Sequence, residues 1–305
     1  MAKIDHTNMS ICSAANENFI IYPQSSFFRE DRAAALPLPT EIRALNEVSD
    51  YFHAKSLDSP TPVKFPSLGL IVKYGTDVTA AEIEAQVMMY ERLKGHVPVP
   101  EVYGWAKDGN QRFLYMALIE GDTLQTRFYA LSETKRQAIC KELRSMVDAW
   151  RALKQSKDFQ YVGELRLLER SVGQRPLTDY SVIARPGRAG PYLGANSVRE
   201  FHDTCGIEIE EDIPICFTHN DLCPPNILIS KGPDPRVVGI IDWEQAGWYP
   251  SYWEYSKARR VGVIDEDFGY ALQEEWTSKY LPQIFDKVDE ERVYHMWLYF
   301  MLSCI

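Results

Sequence analysis

Apolar residues recur along this chain with two different periods, and the periods mark its elements. From Ser132 to Lys154 they return every three to four positions, at Ile139, Leu143, Met146, Val147, Trp150 and Leu153. That spacing predicts an amphipathic helix with one buried face. Thr79 to Lys94 repeats it with Ile83, Val87, Tyr90 and Leu93. A shorter helix is expected from Thr40, as N-cap, through Phe52, with Ile42, Leu45, Val48 and Phe52 inward. Val63–Pro66, Leu68–Tyr74 and Arg112–Ile119 are short runs rich in β-branched and aromatic residues, which reads as strands. The tail from Glu291 to Ile305 is apolar at Val293, Trp297, Leu298, Phe300, Met301 and Leu302 and is expected to close a helical body. Residues 1–38 show no period and run into a proline-punctuated stretch, as an arm or leader would.

One pair of short apolar runs stands apart because of what lies at its ends. Asn226 opens Ile227-Leu228-Ile229, the segment 231–235 is dense in turn formers, and Val237 to Ile241 is a second β-rich run. The simplest arrangement is a hairpin folded about Pro233. It returns Asp242 beside the segment Pro224–Asn226, so Asp221, Asn226 and Asp242 converge at one end of two strands. The bland alternative is a hairpin with polar residues at its solvent end. The convergence suits phosphoryl transfer, in which catalysis is mostly positioning and electrostatics. Asp242 and the amide oxygen of Asn226 are hard oxygen ligands of the kind Mg2+ takes. Asp221 is then free to accept a hydrogen bond from an attacking hydroxyl. His219, two residues earlier, joins it as a catalytic-loop candidate, better suited to bracing the loop than to carrying a proton.

Composition removes several other classes. With 305 residues the chain has room for one large domain or two modest lobes around a cleft. A formal charge of −10 and the lack of a basic stripe argue against nucleic acid as partner. An acidic surface is compatible with a cationic small acceptor, and solubility accounts for it equally well. No apolar run approaches the roughly 20 residues of a membrane span. Nor does the N-terminus carry an apolar core of signal-peptide length, so a cytoplasmic protein is expected. Six cysteines (12, 140, 205, 216, 223 and 304) include no Cys-x-x-Cys pair and read as reduced thiols. Cys223 lies inside the catalytic-loop segment without a base motif and reads as buried filler. A serine hydrolase is unsupported, because no Gly-x-Ser-x-Gly elbow occurs.

The string Thr218-His219-Asn220-Asp221-Leu222-Cys223-Pro224-Pro225-Asn226, followed by Asp242-Trp243-Glu244-Gln245-Ala246-Gly247-Trp248, resembles the aminoglycoside phosphotransferase and choline kinase superfamily. It is similar to its fungal phosphotransferase-like branch. The resemblance covers roughly residues 60 to 260. Many superfamily members carry Gly where Asn220 stands. The resemblance implies an α+β, protein-kinase-like fold with a small N-terminal antiparallel-sheet lobe and a larger, mainly helical C-terminal lobe. It places an arm and nucleotide-binding lobe at 1–119, and the catalytic loop and metal-binding hairpin at 120–305. It further implies ATP as donor, Mg2+ as cofactor and a small-molecule hydroxyl as acceptor. Lys73, paired with Glu84 or with its rival Glu82, is expected to orient the donor phosphates. Main-chain groups of Ala117 and Ile119 are expected to meet the adenine.

The chain departs from the pattern before Lys73. No Gly-x-Gly-x-x-Gly stands there, and the two strands are joined by little more than Pro66-Ser67-Leu68-Gly69. Three readings therefore stay open on the sequence: an ATP-dependent phosphotransferase, a kinase-shaped binding protein without chemistry, and a repurposed cleft doing nucleotide-independent chemistry. Two features admit a bland reading as well. Glu208, Glu210, Glu211 and Asp212 are expected as a solvated charge run rather than a trap for a cation. The aromatic run from Trp248 to Tyr255 is either core packing or a cage for an ammonium group.

Overall fold

The computed structural model describes residues 18–49, 53–155, 160–164, 182, 186–210, 212–259 and 269–303. Cys12, Cys304 and Glu211 lie outside them, as do the first 17 residues of the expected arm and Phe52. The chain divides into two compact units. One comprises Met1–Ile83 with Glu101–Leu118, the other Glu84–Pro100 with Ile119–Ile305.

The first unit is built on a five-stranded antiparallel sheet. Its strands are β1 (Phe19–Ile21), β2 (Val63–Phe65), β3 (Leu70–Gly75), β4 (Val102–Asp108) and β5 (Gln111–Ala117), in the order β1-β4-β5-β3-β2. Each strand alternates faces, and the inward set gathers Leu70, Val72, Tyr74, Tyr103, Ala106, Phe113 and Tyr115. Tyr74 and Phe113, cross-strand partners in the β3–β5 register, stack with centroids 4.9 Å apart. Short helix α1 (Ser26–Arg29) is followed by α2 (Pro39–Glu47).

Helix α2 departs from its expected frame. Pro39 takes the first turn, where a missing N–H costs nothing, so the cap moves back to Leu38, whose N–H donates to Glu41 Oε2 at 2.7 Å. The helix ends at Glu47 and buries Ile42 and Asn46, while Leu45 and Val48 lie exposed. Asn46 wins a core position by donating to Thr61 O and to Tyr74 Oη, which satisfies a polar group that would otherwise be costly to bury.

Helix α3 (Ala80–Leu93) begins in the first unit and continues into the second. The stretch after it belongs to the second unit for a local reason. Pro98 O accepts from Ile240 N at 2.9 Å, and Gln86 Nε2 donates to Pro100 O at 2.9 Å. A single boundary near residue 119 therefore does not describe the division, because residues 84–100 go with the later part of the chain.

The rest of the second unit contains β6 (Asp122–Thr123), α4 (Leu124–Arg127), α5 (Glu133–Arg151), β7 (Tyr161–Glu164), β8 (Tyr192–Leu193), α6 (Ser197–Cys205), β9 (Ile215–Thr218), β10 (Ile227–Ile229), β11 (Val237–Ile240), β12 (Gly247–Pro250), α7 (Trp253–Ala258), α8 (Tyr270–Glu275), α9 (Leu281–Ile284) and α10 (His295–Leu302). It is mainly helical, with two small antiparallel sheets of order β11-β10-β6 and β8-β7-β12-β9. Helix α5 buries the stripe read from the sequence, Ile139, Leu143, Met146, Val147 and Trp150. Its Trp150 meets Trp243 edge to face at 5.6 Å, a contact that ties the long helix to the segment after β11. Among the described residues no helix is long and apolar enough to cross a membrane.

Candidate active site

The hairpin predicted about Pro233 is present. Ile227 pairs with Ile240 and Leu228 with Gly239, and beyond the last pair Ile241 N donates to Asn226 O at 3.0 Å. That bond sets Asp242 next to Asn226. Strand β11 packs closely at Gly239: a Cβ there would lie 2.9 Å from Ile119 Cδ1 and 3.1 Å from Leu228 Cδ1, so these side-chain ends would have to shift to admit it.

The loop entering the hairpin is held from several sides. Strand β9 delivers Thr218, His219 and Asn220, all buried. Asn220 has φ of +67°, a left-handed conformation that Asn tolerates and most other side chains do not. Gly would take the same conformation without a Cβ penalty. Its Nδ2 donates to Gln245 O at 3.1 Å. His219 is fully buried; Nδ1 accepts from Asp221 N at 3.2 Å and Nε2 lies 2.9 Å from Ile241 O. An N–H facing one ring nitrogen and a carbonyl facing the other select the neutral tautomer with its proton on Nε2. Burial pushes the imidazole down to about 4, against a smaller upward pull from the Ile241 carbonyl. With both nitrogens engaged by main chain, His219 holds the backbone of the loop.

Beneath the loop lies a residue the sequence reading passed over. Glu254, on α7, is 1% exposed. Its Oε1 accepts from His219 N at 2.7 Å and Asn220 N at 3.1 Å, and its Oε2 accepts from Trp150 Nε1 at 3.3 Å, with Arg151 Nε 3.8 Å away. Burial raises its pKa, opposed by Arg151 and by these N–H donors. A carboxylate so surrounded fixes the backbone of two successive loop residues. The signal was available: an acid inside the aromatic run Trp248–Tyr255 is an acid expected to be buried and therefore partnered.

Asp221 and Asn226 are joined directly. Asn226 Nδ2 donates to Asp221 O and to Asp221 Oδ2, both at 2.9 Å, which leaves Oδ1 as the amide atom open to a cation. Asp242 shares with Asn220 a φ of +67°, a strain that persists only where surroundings enforce it and that gathers at functional sites. Asp242 and Glu244 bring carboxylate oxygens within 4.8 Å of one another. Burial is the main reason the Asp221 carboxyl is pushed up to about 6. Lys257 opposes the shift, Asp242 and Glu244 add to it, and the Asn226 hydrogen bond opposes it. Lys257 itself, on α7, donates to Gln245 Oε1 at 2.5 Å.

In the first unit, Lys73 sits on β3 opposite Leu114 and forms an ion pair with Glu82 Oε1 at 2.7 Å. Of the two acids named for this role, Glu82 is the one that makes this ion pair. Residues two apart on a helix point about 200° apart by the 3.6-residue period, so Glu82 and Glu84 leave α3 in different directions. Glu82 is buried and Glu84 half-buried. The N–H of Ala117 donates to Glu101 O at 2.8 Å, so any contact of Ala117 with a base rests on its carbonyl. Ile119 belongs to the second unit, with its side chain over Gly239. The β2–β3 turn is a single short turn, Pro66–Leu68, closed by Gly69 at φ +56°.

The remaining candidates resolve into structure. Trp248, Tyr249, Tyr252 and Trp253 are buried in the core, so the aromatic run packs the interior and forms no cage. Glu208, Glu210 and Asp212 are exposed. They line a cavity of about 1120 Å³ together with Arg199, Lys154 and Trp248, and no residue of the catalytic loop or of Asp242–Glu244 lines it. Burial holds the Cys223 thiol well above its ordinary value, the opposite of what a nucleophilic thiolate needs.

Comparisons with known proteins give the chain a family and a fold. The model of a family described as "Phosphotransferase enzyme family" matches residues 68–288. An aminoglycoside 3'-phosphotransferase of Streptomyces fradiae is 38% identical over 80 residues, which is 26% of this chain and 29% of that protein, so the chain spans under a third of that relative's length. A thermostable mutant of aminoglycoside phosphotransferase APH(4)-Ia superposes with a TM-score of 0.51 at 15% identity, covering 79% of each chain. A gentamicin complex of APH(2")-IIa gives 0.50 at 15% identity over 87% of each. At such identities the likeness shows the α+β, protein-kinase-like fold.

Proposed function

The chain belongs to the phosphotransferase enzyme family, and from that premise we propose that it moves the γ-phosphoryl group of a nucleoside triphosphate, ATP in the first place, to a hydroxyl of a small molecule. The observation that carries this reading is the braced pair: Asp221 and Asn226, bonded at 2.9 Å, on a loop pinned by Glu254 and His219, with Asp242 delivered alongside by the hairpin. In this reading Asp221 accepts the hydrogen bond of the acceptor hydroxyl and orients it. The acceptor oxygen forms the new P–O bond while the bond between the γ-phosphorus and the bridging oxygen breaks. The leaving nucleoside diphosphate takes that bond's electron pair, and the hydroxyl proton passes to Asp221.

A carboxyl raised to about 6 is a better proton acceptor near neutrality than an ordinary Asp. The donor set fits magnesium: Asp242, Glu244 and Asn226 Oδ1 are all hard oxygens, and the ion usually takes only one or two carboxylates beside phosphate oxygens and water. When bound, magnesium offsets the charge of the donor phosphates as the bond breaks. Lys73, oriented by Glu82, supplies a fixed cation for the α and β phosphates.

The acceptor class is read from the family alone: a hydroxyl-bearing small molecule, with an amine-rich one the first to try. The test is mass spectrometry of a panel of amino sugars, amino alcohols and neutral sugars incubated with magnesium and ATP or GTP. A gain of one phosphoryl group that Asp242→Asn abolishes supports the reading. Product formed without nucleotide, or equal turnover without that carboxylate, overturns it.

A further inference from the structure

Glu254 meets donors on both of its oxygens. Oε1 accepts from the amides of His219 and Asn220, at 2.7 and 3.1 Å, and Oε2 from Trp150 Nε1 at 3.3 Å. Among the described residues no hydrogen-bond partner of this side chain is an acceptor, so a proton placed on the carboxyl would face a donor. The geometry is that of a carboxylate, and it is 1% exposed. A buried charge persists only beside a partner of opposite sign. That partner is Arg151, the last residue of α5, whose Nε lies 3.8 Å from Glu254 Oε2.

Arg151 is itself fixed from two sides. Its Nη2 donates to Ser251 O at 2.9 Å, and its guanidinium lies 5.2 Å from the centre of the Phe285 ring. Nε is buried and makes no hydrogen bond among the described residues, so toward Glu254 it acts by charge. Burial is the main influence on the Glu254 carboxyl and raises its pKa. Arg151 leads the influences that oppose it, ahead of the N–H donors. The other titratable groups nearby do not take its place. Burial holds the His219 imidazole at about 4 and the Cys216 thiol of β9 at about 11, so both are neutral between those values. Lys257, further along α7, donates to Gln245.

We propose that Arg151 is a positioning residue: its guanidinium keeps the buried Glu254 ionised, and the ionised Glu254 holds the backbone of His219 and Asn220 in the conformation that presents Asp221. Asn220, at φ +67°, is the strained point of that backbone, where a lost anchor is felt first. The proposal rests on the phosphotransferase reading and adds to it a residue that acts only through another.

The experiment compares urea midpoints of the full chain for wild type, Arg151→Lys and Arg151→Gln, which keeps a donor for Ser251 O without the charge. The folded state already raises the Glu254 pKa above its ordinary 4.5, and removing Arg151 raises it further. The contribution of such a group is present below its ordinary value and lost as pH rises through the folded one. The deficit of Arg151→Gln relative to wild type should therefore be larger at pH about 8.5 than at pH about 5, by about 0.5 M urea or more. Groups that titrate alike in all three proteins cancel in that difference. Arg151→Lys should recover most of it. An equal deficit at both pH values marks a residue that only packs, and overturns the proposal. Should Arg151→Gln not fold, the double variant Arg151→Gln/Glu254→Gln decides: a restored cooperative transition supports the pair, and continued failure overturns it. Activity should run the other way with pH, because a protonated Glu254 releases the loop amides. The ratio of Arg151→Gln to wild-type kcat should fall about tenfold between pH about 8.5 and about 5, with the nucleotide KM held within about twofold; a constant ratio overturns the positioning role. If wild type phosphorylates nothing, the phosphotransferase reading falls and the positioning role with it, whereas a constant ratio in an active enzyme removes Arg151 alone.

Discussion

Two hairpins hold the candidate site residues of this protein, and they are held by different means. The β2–β3 hairpin places Lys73 on an ordinary antiparallel strand, and the ion pair with Glu82, 2.7 Å long, aims its ammonium. The β10–β11 hairpin ends among residues whose backbones are strained and whose polar atoms are buried. Asn220 and Asp242 both have φ of +67°, His219 is engaged at both nitrogens, and Glu254 anchors two loop amides from below. The first arrangement is local and needs only helix and strand periodicity. The second is a network in which each member is fixed by another distant in sequence, and it is where loss of one atom should cost most.

The largest expected effect is on chemistry. Asp242→Asn should lower turnover by about a thousandfold or more, since a carboxylate of the metal-binding set acts chiefly in the transition state. Steady-state kinetics with the first acceptor found gives the number. Glu254→Ala should come next. It leaves the His219, Asn220 and Trp150 N–H groups and Arg151 without their buried partner, a loss of about 3–5 kcal/mol, visible as a large fall in the urea midpoint. If the variant melts like wild type, the network is not what holds the loop.

Asp221→Asn separates stability from activity. The folded-state pKa of about 6 lies above the ordinary 3.8. The native state thus binds this proton more tightly than the unfolded chain. The group's stabilising contribution is present below pH about 4 and lost as pH rises through about 6, on the order of 2–3 kcal/mol after allowing for partial solvent access. The amide carries no such penalty. The variant should be inactive, melt higher than wild type at pH 8, and match it at pH 4. In wild type, turnover should rise with pH through about 6 and level off above it.

His219 has the opposite sign. Its pKa is lowered to about 4 from 6.5, so its contribution is present above pH 6.5 and lost as pH falls through about 4, a further loss of about 3 kcal/mol. His219→Gln should flatten that acid limb of the stability curve. The smallest effects belong to the other hairpin. Glu82→Gln should raise the nucleotide KM about tenfold by loosening Lys73, while Glu84→Gln should change it less than about twofold. Reversal of that order would restore Glu84 as the partner.

Much of this arrangement was legible in the sequence, and the reason is locality. The stripe on α5, the strands around Lys73 and the hairpin about Pro233 follow from side-chain period and turn chemistry, which act over a few residues. The meeting of Asn226 with Asp242 follows from the register of that hairpin. The positions decided otherwise share a different cause. Leu38 replaced Thr40 as the cap of α2 because Pro39 occupied its first turn, and Asn46 entered the core because Thr61 and Tyr74 offered it partners. That Glu82 meets Lys73 depends on which direction α3 gives that side chain. Glu254 and Lys257 come from a helix more than 30 residues beyond the loop they support. A buried charge is tolerable only where partners converge on it. Which distant segments converge is a property of packing, set by the tertiary structure and absent from any local stretch of chain.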